Sequence, residues 1–75
     1  MDKIVIFGNG EIGELAEYYF RTDSEYKVVA FTADYKYIKS DTFCGLPLIQ
    51  FQDIKEKYPP DSYKMFIALS YSSMN

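Results

Sequence analysis

The chain has 75 residues, a net charge of -3, one cysteine and no histidine. That length limits it to one small domain, which buries only about 60% of the surface its unfolded chain exposes. The acidic balance weighs against nucleic acid and against a polybasic membrane contact.

The lone Cys44 excludes an internal disulfide framework and a cysteine zinc site, and beside Gly45 it reads as a small, partly buried residue in a reducing compartment. Without histidine the commonest general base and metal ligand are missing, as is any Ser-His or Cys-His nucleophile pair. Met1-Asp2-Lys3 leads into only a short apolar run before Gly8, too brief for a signal peptide. The run Met65 to Leu69 falls far short of a membrane span. A cytoplasmic protein is expected.

Lys3 to Phe7 reads as the first strand, apolar throughout, as in a parallel strand covered on both faces. Gly8-Asn9-Gly10-Glu11-Ile12-Gly13 follows, the spacing G-x-G-x-x-G. Between a strand and a helix each glycine has a separate task. Gly8 lets the chain turn off the strand, Gly10 lets a phosphate approach the backbone, and Gly13 lets the helix lie close to the sheet. Free N–H groups of the first helical turn would then converge on an anion. Glycines serving turn geometry alone are the competing reading, and the flanking strand and helix favour nucleotide binding.

Glu11 to Arg21 is the predicted first helix, with Ile12, Leu15, Ala16, Tyr19 and Phe20 on one face. Glu11 and Glu14 suit the positive end of the helix dipole and Arg21 its negative end. Glu11 also poses a difficulty, since its carboxylate would repel a bound phosphate unless it points away. After the polar turn Thr22 to Glu25, Lys27 to Thr32 is the second strand, and a right-handed crossover makes the pair parallel. Asp34 lies just past it, about twenty residues beyond the glycines, where a dinucleotide fold places an acid against ribose hydroxyls. The alternative role is a turn-forming Asp. Tyr35 to Lys39 interleaves aromatics and lysines, suited to base stacking but also to a solvated loop.

Ser40 to Gly45 reads as loop. Leu46-Pro47-Leu48-Ile49 is a short extended segment placed at a sheet edge, because Pro47 lacks an N–H. Phe51 to Tyr58 is the second helix, stopped by Pro59-Pro60. Lys64 to Leu69 is the last strand, and Ser70 to Ser73 run off its carboxyl end. The expected fold is therefore α/β: a small Rossmann-like half over residues 1–75, with three to four mostly parallel strands in the order β-α-β-β-α-β and helices on both faces. The first strand should be central, the second on one side and the last on the other. The glycine loop, Asp34 and Ser70 to Ser73 should meet at the carboxyl ends of the strands, where strand order reverses. One mononucleotide half can hold a nucleoside with its phosphates but offers no second half for a nicotinamide.

Ile4-Val5-Ile6-Phe7-Gly8, Val29-Ala30-Phe31 before Asp34, Gly45-Leu46-Pro47-Leu48-Ile49, Tyr58-Pro59-Pro60 and Lys64-Met65-Phe66-Ile67-Ala68-Leu69 together resemble a known family. They are similar to the leading domain of bacterial sugar O- and N-acyltransferases. These are the nucleotide-sugar and sialic-acid-type acetyltransferases of the left-handed β-helix, hexapeptide-repeat superfamily. The resemblance spans the chain and implies a domain that binds a uridine nucleotide-linked sugar for polysaccharide biosynthesis. It implies loop contacts from Asn9, Gly10 and Glu11, a nucleoside contact from Asp34, and Ser70 beside the sugar phosphates. Two positions depart from the family pattern: Ala33 stands where the first of two acids is common, and Ser70 where glycine is common. The resemblance places the catalytic histidine and acetyl-coenzyme A in a C-terminal β-helix domain of a trimeric protein. This chain, with no cofactor of its own, would bind and not catalyse, as a monomer or a dimer when isolated.

Two other classes stand beside this one. The chain could be an NAD-binding fragment of an oxidoreductase or redox-sensing domain. It could also be a structural or oligomerisation module, since eight tyrosines and six phenylalanines are more than a thin core easily hides.

Overall fold

A computed structural model describes residues 2–68. Five strands form one sheet, β1 (Lys3–Phe7), β2 (Lys27–Ala33), β3 (Thr42–Phe43), β4 (Leu46–Gln50) and β5 (Lys64–Ile67), in the order β3-β4-β2-β1-β5. All pairings are parallel except the antiparallel β3–β4 hairpin. Helix α1 (Glu11–Asp23) crosses from β1 to β2, and the short helix α2 (Ile54–Lys57) precedes β5. The expected α/β class and the placing of β1 between β2 and β5 are present, but the middle strand of the five is β2, because the β3–β4 hairpin extends the sheet on that side.

The sheet is buried from both sides at its middle. Ile6, Ala30, Phe31 and Thr32 have no exposed surface. On one face Phe20 of α1 packs with Ile4, Ile6, Phe31 and Leu48. On the other, Ile54 of α2 packs with Val5 and Ala30. The continuous apolar runs of β1 and β2 follow from this two-sided cover. Each large side chain withdrawn there contributes about 1.5–3 kcal/mol. The β1–β2 register slips between Ile4 and Val5, leaving Val29 as an extra residue. That slip puts Val28 and Phe31, three positions apart, into the same core cluster.

Several boundaries differ from the sequence reading, each for a physical reason. The stretch read as loop contains β3, closed onto β4 by a turn in which Cys44 and Gly45 have φ of 54° and 76°. Two successive positive φ values are what a two-residue hairpin turn demands. The outermost strand is therefore β3, and Pro47 sits one strand further in, opposite Thr42. Only Leu48 to Gln50 pair with β2, so the missing N–H of Pro47 costs no parallel ladder bond. The second helix is shorter than expected, because Phe51–Asp53 is a 3-10 turn and only Ile54–Lys57 is α-helical. The last strand ends at Ile67, and Leu69 lies outside the described residues.

The buried stripe of α1 is also narrower than its apolar face. Gly13 and Phe20 are buried and Ala16 is half-buried, while Leu15 is 62% and Tyr19 54% exposed. Small residues let the helix press against the sheet, and nothing among the described residues lies over its flank. Phe66, Met65 and Ile67 of β5 are exposed too. No helix among the described residues is long and apolar enough to cross a membrane.

Candidate functional site

The start of the glycine turn is held by backbone hydrogen bonds to the strands on either side. The Gly8 N–H donates to the Thr32 carbonyl at 2.8 Å, and the Ala68 N–H donates to the Phe7 carbonyl at 2.8 Å. These bonds carry the ladder to the carboxyl ends of β1, β2 and β5. Gly8 has φ of +128°, and a Cβ there would stand 2.6 Å from the Ala68 carbonyl oxygen. Gly13 is buried, and a Cβ on it would overlap the Gly8 carbonyl oxygen. Both positions thus require glycine for the packing of the chain itself.

Gly10 is different. Its φ is -107°, accessible to any residue, and no heavy atom of the described residues lies within 4 Å of where its Cβ would be. No contact among the described residues explains the missing side chain at this position. Gly10 is also the N-cap of α1 and supplies no capping side chain. The first intrahelical donor is the Glu14 N–H, which reaches the Gly10 carbonyl at 3.0 Å. The N–H groups of Glu11, Ile12 and Gly13 therefore lack helical acceptors.

Above this turn lies a cavity of about 630 Å³ at the carboxyl ends of the strands, floored by Phe7, Ala33 and Ala68. Gly8, Asn9, Gly10, Glu11, Ile12 and Asp34 all line it, so six of the eight residues singled out from the sequence are brought together. Gly13 is buried and does not line it. Ser70 lies outside the described residues.

Asp34 ends β2 and caps the 3-10 turn Tyr35–Tyr37, yet its side chain makes no capping hydrogen bond to that turn. The turn is closed by backbone bonds alone, Tyr37 N–H to the Asp34 carbonyl at 2.9 Å and Ile38 N–H to the Tyr35 carbonyl at 3.1 Å. An exposed carboxylate unspent on its own turn is available to a ligand hydroxyl.

Lys36 and Tyr37 complete the lining, within the stretch whose interleaved aromatics and lysines suit base stacking or a solvated loop. The Lys36 ammonium lies 5.3 Å from the centroid of the Tyr37 ring. It brings a positive charge to a mouth that carries the carboxylates of Glu11 and Asp34, which eases the difficulty Glu11 poses for an anionic ligand. The interleaving of lysine and tyrosine was the signal for this pair. The resemblance implied a loop contact from Asn9, but no sequence signal announced that its Nδ2 donates to the Tyr37 carbonyl at 2.9 Å.

A larger hollow of about 880 Å³ lies between α1 and the β3–β4 hairpin, bordered by Glu14, Tyr18, Arg21, Tyr26 and Cys44. It exists because the connection from β2 to β4 has no helix to cover that side of the sheet. It lies away from the strands' carboxyl ends and includes none of the predicted site residues. Among the described residues no group of three or more His, Cys, Asp or Glu side chains is placed to hold a metal ion.

The chain matches no family model, no curated protein sequence and no solved structure.

Proposed function

We propose that this domain binds a nucleotide-linked sugar, with a uridine diphosphate sugar as the ligand, in the cavity over the glycine turn. The observation that carries the reading is the open space at Gly10. A turn kept for geometry alone needs Gly8 and Gly13 but not a third glycine facing empty volume. A ligand phosphate lying against the backbone accounts for it, with the uncapped amides of α1 as donors. Asp34 then accepts from the ribose hydroxyls, and Lys36 offsets phosphate charge at the mouth.

The resemblance to bacterial sugar O- and N-acyltransferases supplies the biological setting. In that setting the domain works in the cytoplasm and holds the sugar. Acetyl transfer from acetyl-coenzyme A belongs to a histidine-bearing β-helix domain in a trimer. The chain described here, with no histidine, contributes binding and no chemical step.

Thermal shift with UDP, a UDP-sugar and NAD in one series tests the reading. Ligand at 100 times its Kd stabilises the folded state by about 2.7 kcal/mol. The melting temperature is expected to rise with both uridine ligands. A rise with NAD alone, or none with any of them at millimolar concentration, would overturn it.

A further inference from the structure

The Asn9–Tyr37 contact stands apart from every other side-chain hydrogen bond among the described residues. It joins segments 28 positions apart, whereas the others join residues four apart or fewer. The one comparably distant polar contact, the Lys64–Asp2 ion pair, is at the opposite, amino-terminal end of the strands. Asn9 therefore bridges the two loops that frame the cavity, the glycine turn and the 3-10 turn after β2. Only the NH2 edge of an amide can face a carbonyl oxygen, so the donor is defined by its partner. Without that donor the Tyr37 carbonyl has no hydrogen-bond partner among the described residues to hold it at the rim.

We propose that Asn9 is a positioning residue: its amide clasps the Asp34–Tyr37 turn to the glycine loop and so sets Asp34 and Lys36 at the mouth of the cavity. The effect passes through the chain in two short steps. The bond fixes the Tyr37 backbone, and the Tyr37 ring carries the Lys36 ammonium at 5.3 Å. Asp34 is tied to the same turn by the Tyr37 N–H, which donates to its carbonyl. Removing the clasp frees an exposed turn whose other ties among the described residues are its own backbone bonds and the packing of Ile38 against the core. This inference rests on the nucleotide reading for its ligand but not for the clasp, which is measurable in the free protein.

The test compares wild type, Asn9→Ala and Asn9→Asp, using UDP as the probe. Asn9 is a half-buried loop residue, so both variants are expected to stay folded, with a melting temperature lower by no more than several degrees. In the free protein, amide exchange at Tyr37 and Ile38 is expected to quicken in Asn9→Ala. UDP affinity is expected to fall about 10-fold, as for a positioning hydrogen bond worth about 1.4 kcal/mol. Asn9→Asp keeps the shape but as a carboxylate cannot donate to Tyr37. Its affinity deficit, taken as a ratio to wild type at each pH, is expected to shrink as pH falls and the new carboxyl gains a proton. Glu11, Asp34 and Lys36 are the charged groups around it, and the ratio cancels their own titration. A merely structural loss would leave that ratio flat. Wild type that binds UDP while Asn9→Ala binds it equally well would overturn the inference and leave the nucleotide reading standing. Wild type that fails to bind UDP while exchange still quickens in Asn9→Ala would overturn the nucleotide reading and leave the clasp.

Discussion

Gly13 lies so close to Gly8 that a methyl group on it would overlap the Gly8 carbonyl oxygen. The first turn of α1 and the end of β1 are thus in backbone contact, and the cavity sits on that contact. Close approach, not turn flexibility, is what the sixth residue of the motif provides.

Gly13→Ala and Gly10→Ala are expected to separate cleanly. Gly13→Ala forces α1 off the sheet, a strain of about 1–3 kcal/mol, which lowers the melting temperature of so small a domain by several degrees. Gly10→Ala meets open space at an ordinary φ, so its gain of about 0.4–1 kcal/mol through the unfolded chain is set against the poorer N-cap that Ala makes, and stability stays within about 0.5 kcal/mol. Denaturant unfolding of the two variants checks the difference.

Asp34→Asn is expected to leave stability within about 0.5 kcal/mol, since the side chain is exposed and caps nothing. UDP binding should weaken by about 10-fold or more, the worth of a hydrogen bond to a charged acceptor. Calorimetric titration of the variant provides the comparison. Unaltered affinity would return Asp34 to the role of a turn residue.

Thr32 is wholly buried on β2, and its hydroxyl has no hydrogen-bond partner among the described residues. Its backbone carbonyl, which accepts from Gly8, is untouched by a side-chain change. Thr32→Val keeps the shape and removes the stranded polar atom, so unfolding free energy should rise by about 1 kcal/mol. A fall would mean that the hydroxyl is satisfied in solution.

Cys44 is exposed, where the sequence suggested a partly buried residue, because the hairpin turn carries it to the outer edge of the sheet. Partial desolvation beside α1 pushes its thiol up, and the carboxylates of Glu14 and Glu17 add to that while Arg21 opposes it. A thiol whose folded pKa exceeds its unfolded value contributes stability that is present below the unfolded pKa. That contribution is lost as pH rises through the folded value. Alkylation by iodoacetamide should therefore reach half its limiting rate at a higher pH in the native protein than in denaturant. Coincident profiles would show that the groove does not shield the thiol.

The parts of the fold that follow from uninterrupted apolar runs were legible in the residues. β1 has the predicted limits, α1 begins at the predicted Glu11, and the β1-α1-β2 crossover places Asp34 over the glycine turn. What escaped depends on tertiary contact. The apolar face of α1 does not reveal that Gly13, Ala16 and Phe20 are covered while Leu15 and Tyr19 are not. A two-residue strand such as β3 is too short for alternation to appear, and its turn uses Cys44 where Asn or Asp is usual. The Asn9 clasp joins residues distant in the chain, and no local pattern encodes such a pair.

An amide-resolved NMR titration with UDP, run on wild type and on Gly10→Ala side by side, tests the central claim most directly. Saturable shifts confined to residues 8–13 and the neighbourhood of Asp34 are predicted in wild type, with none in the variant. Wild-type amides that stay in place at millimolar UDP, or shifts that are the same in both proteins, would contradict the claim that the space over Gly10 is kept for a nucleotide.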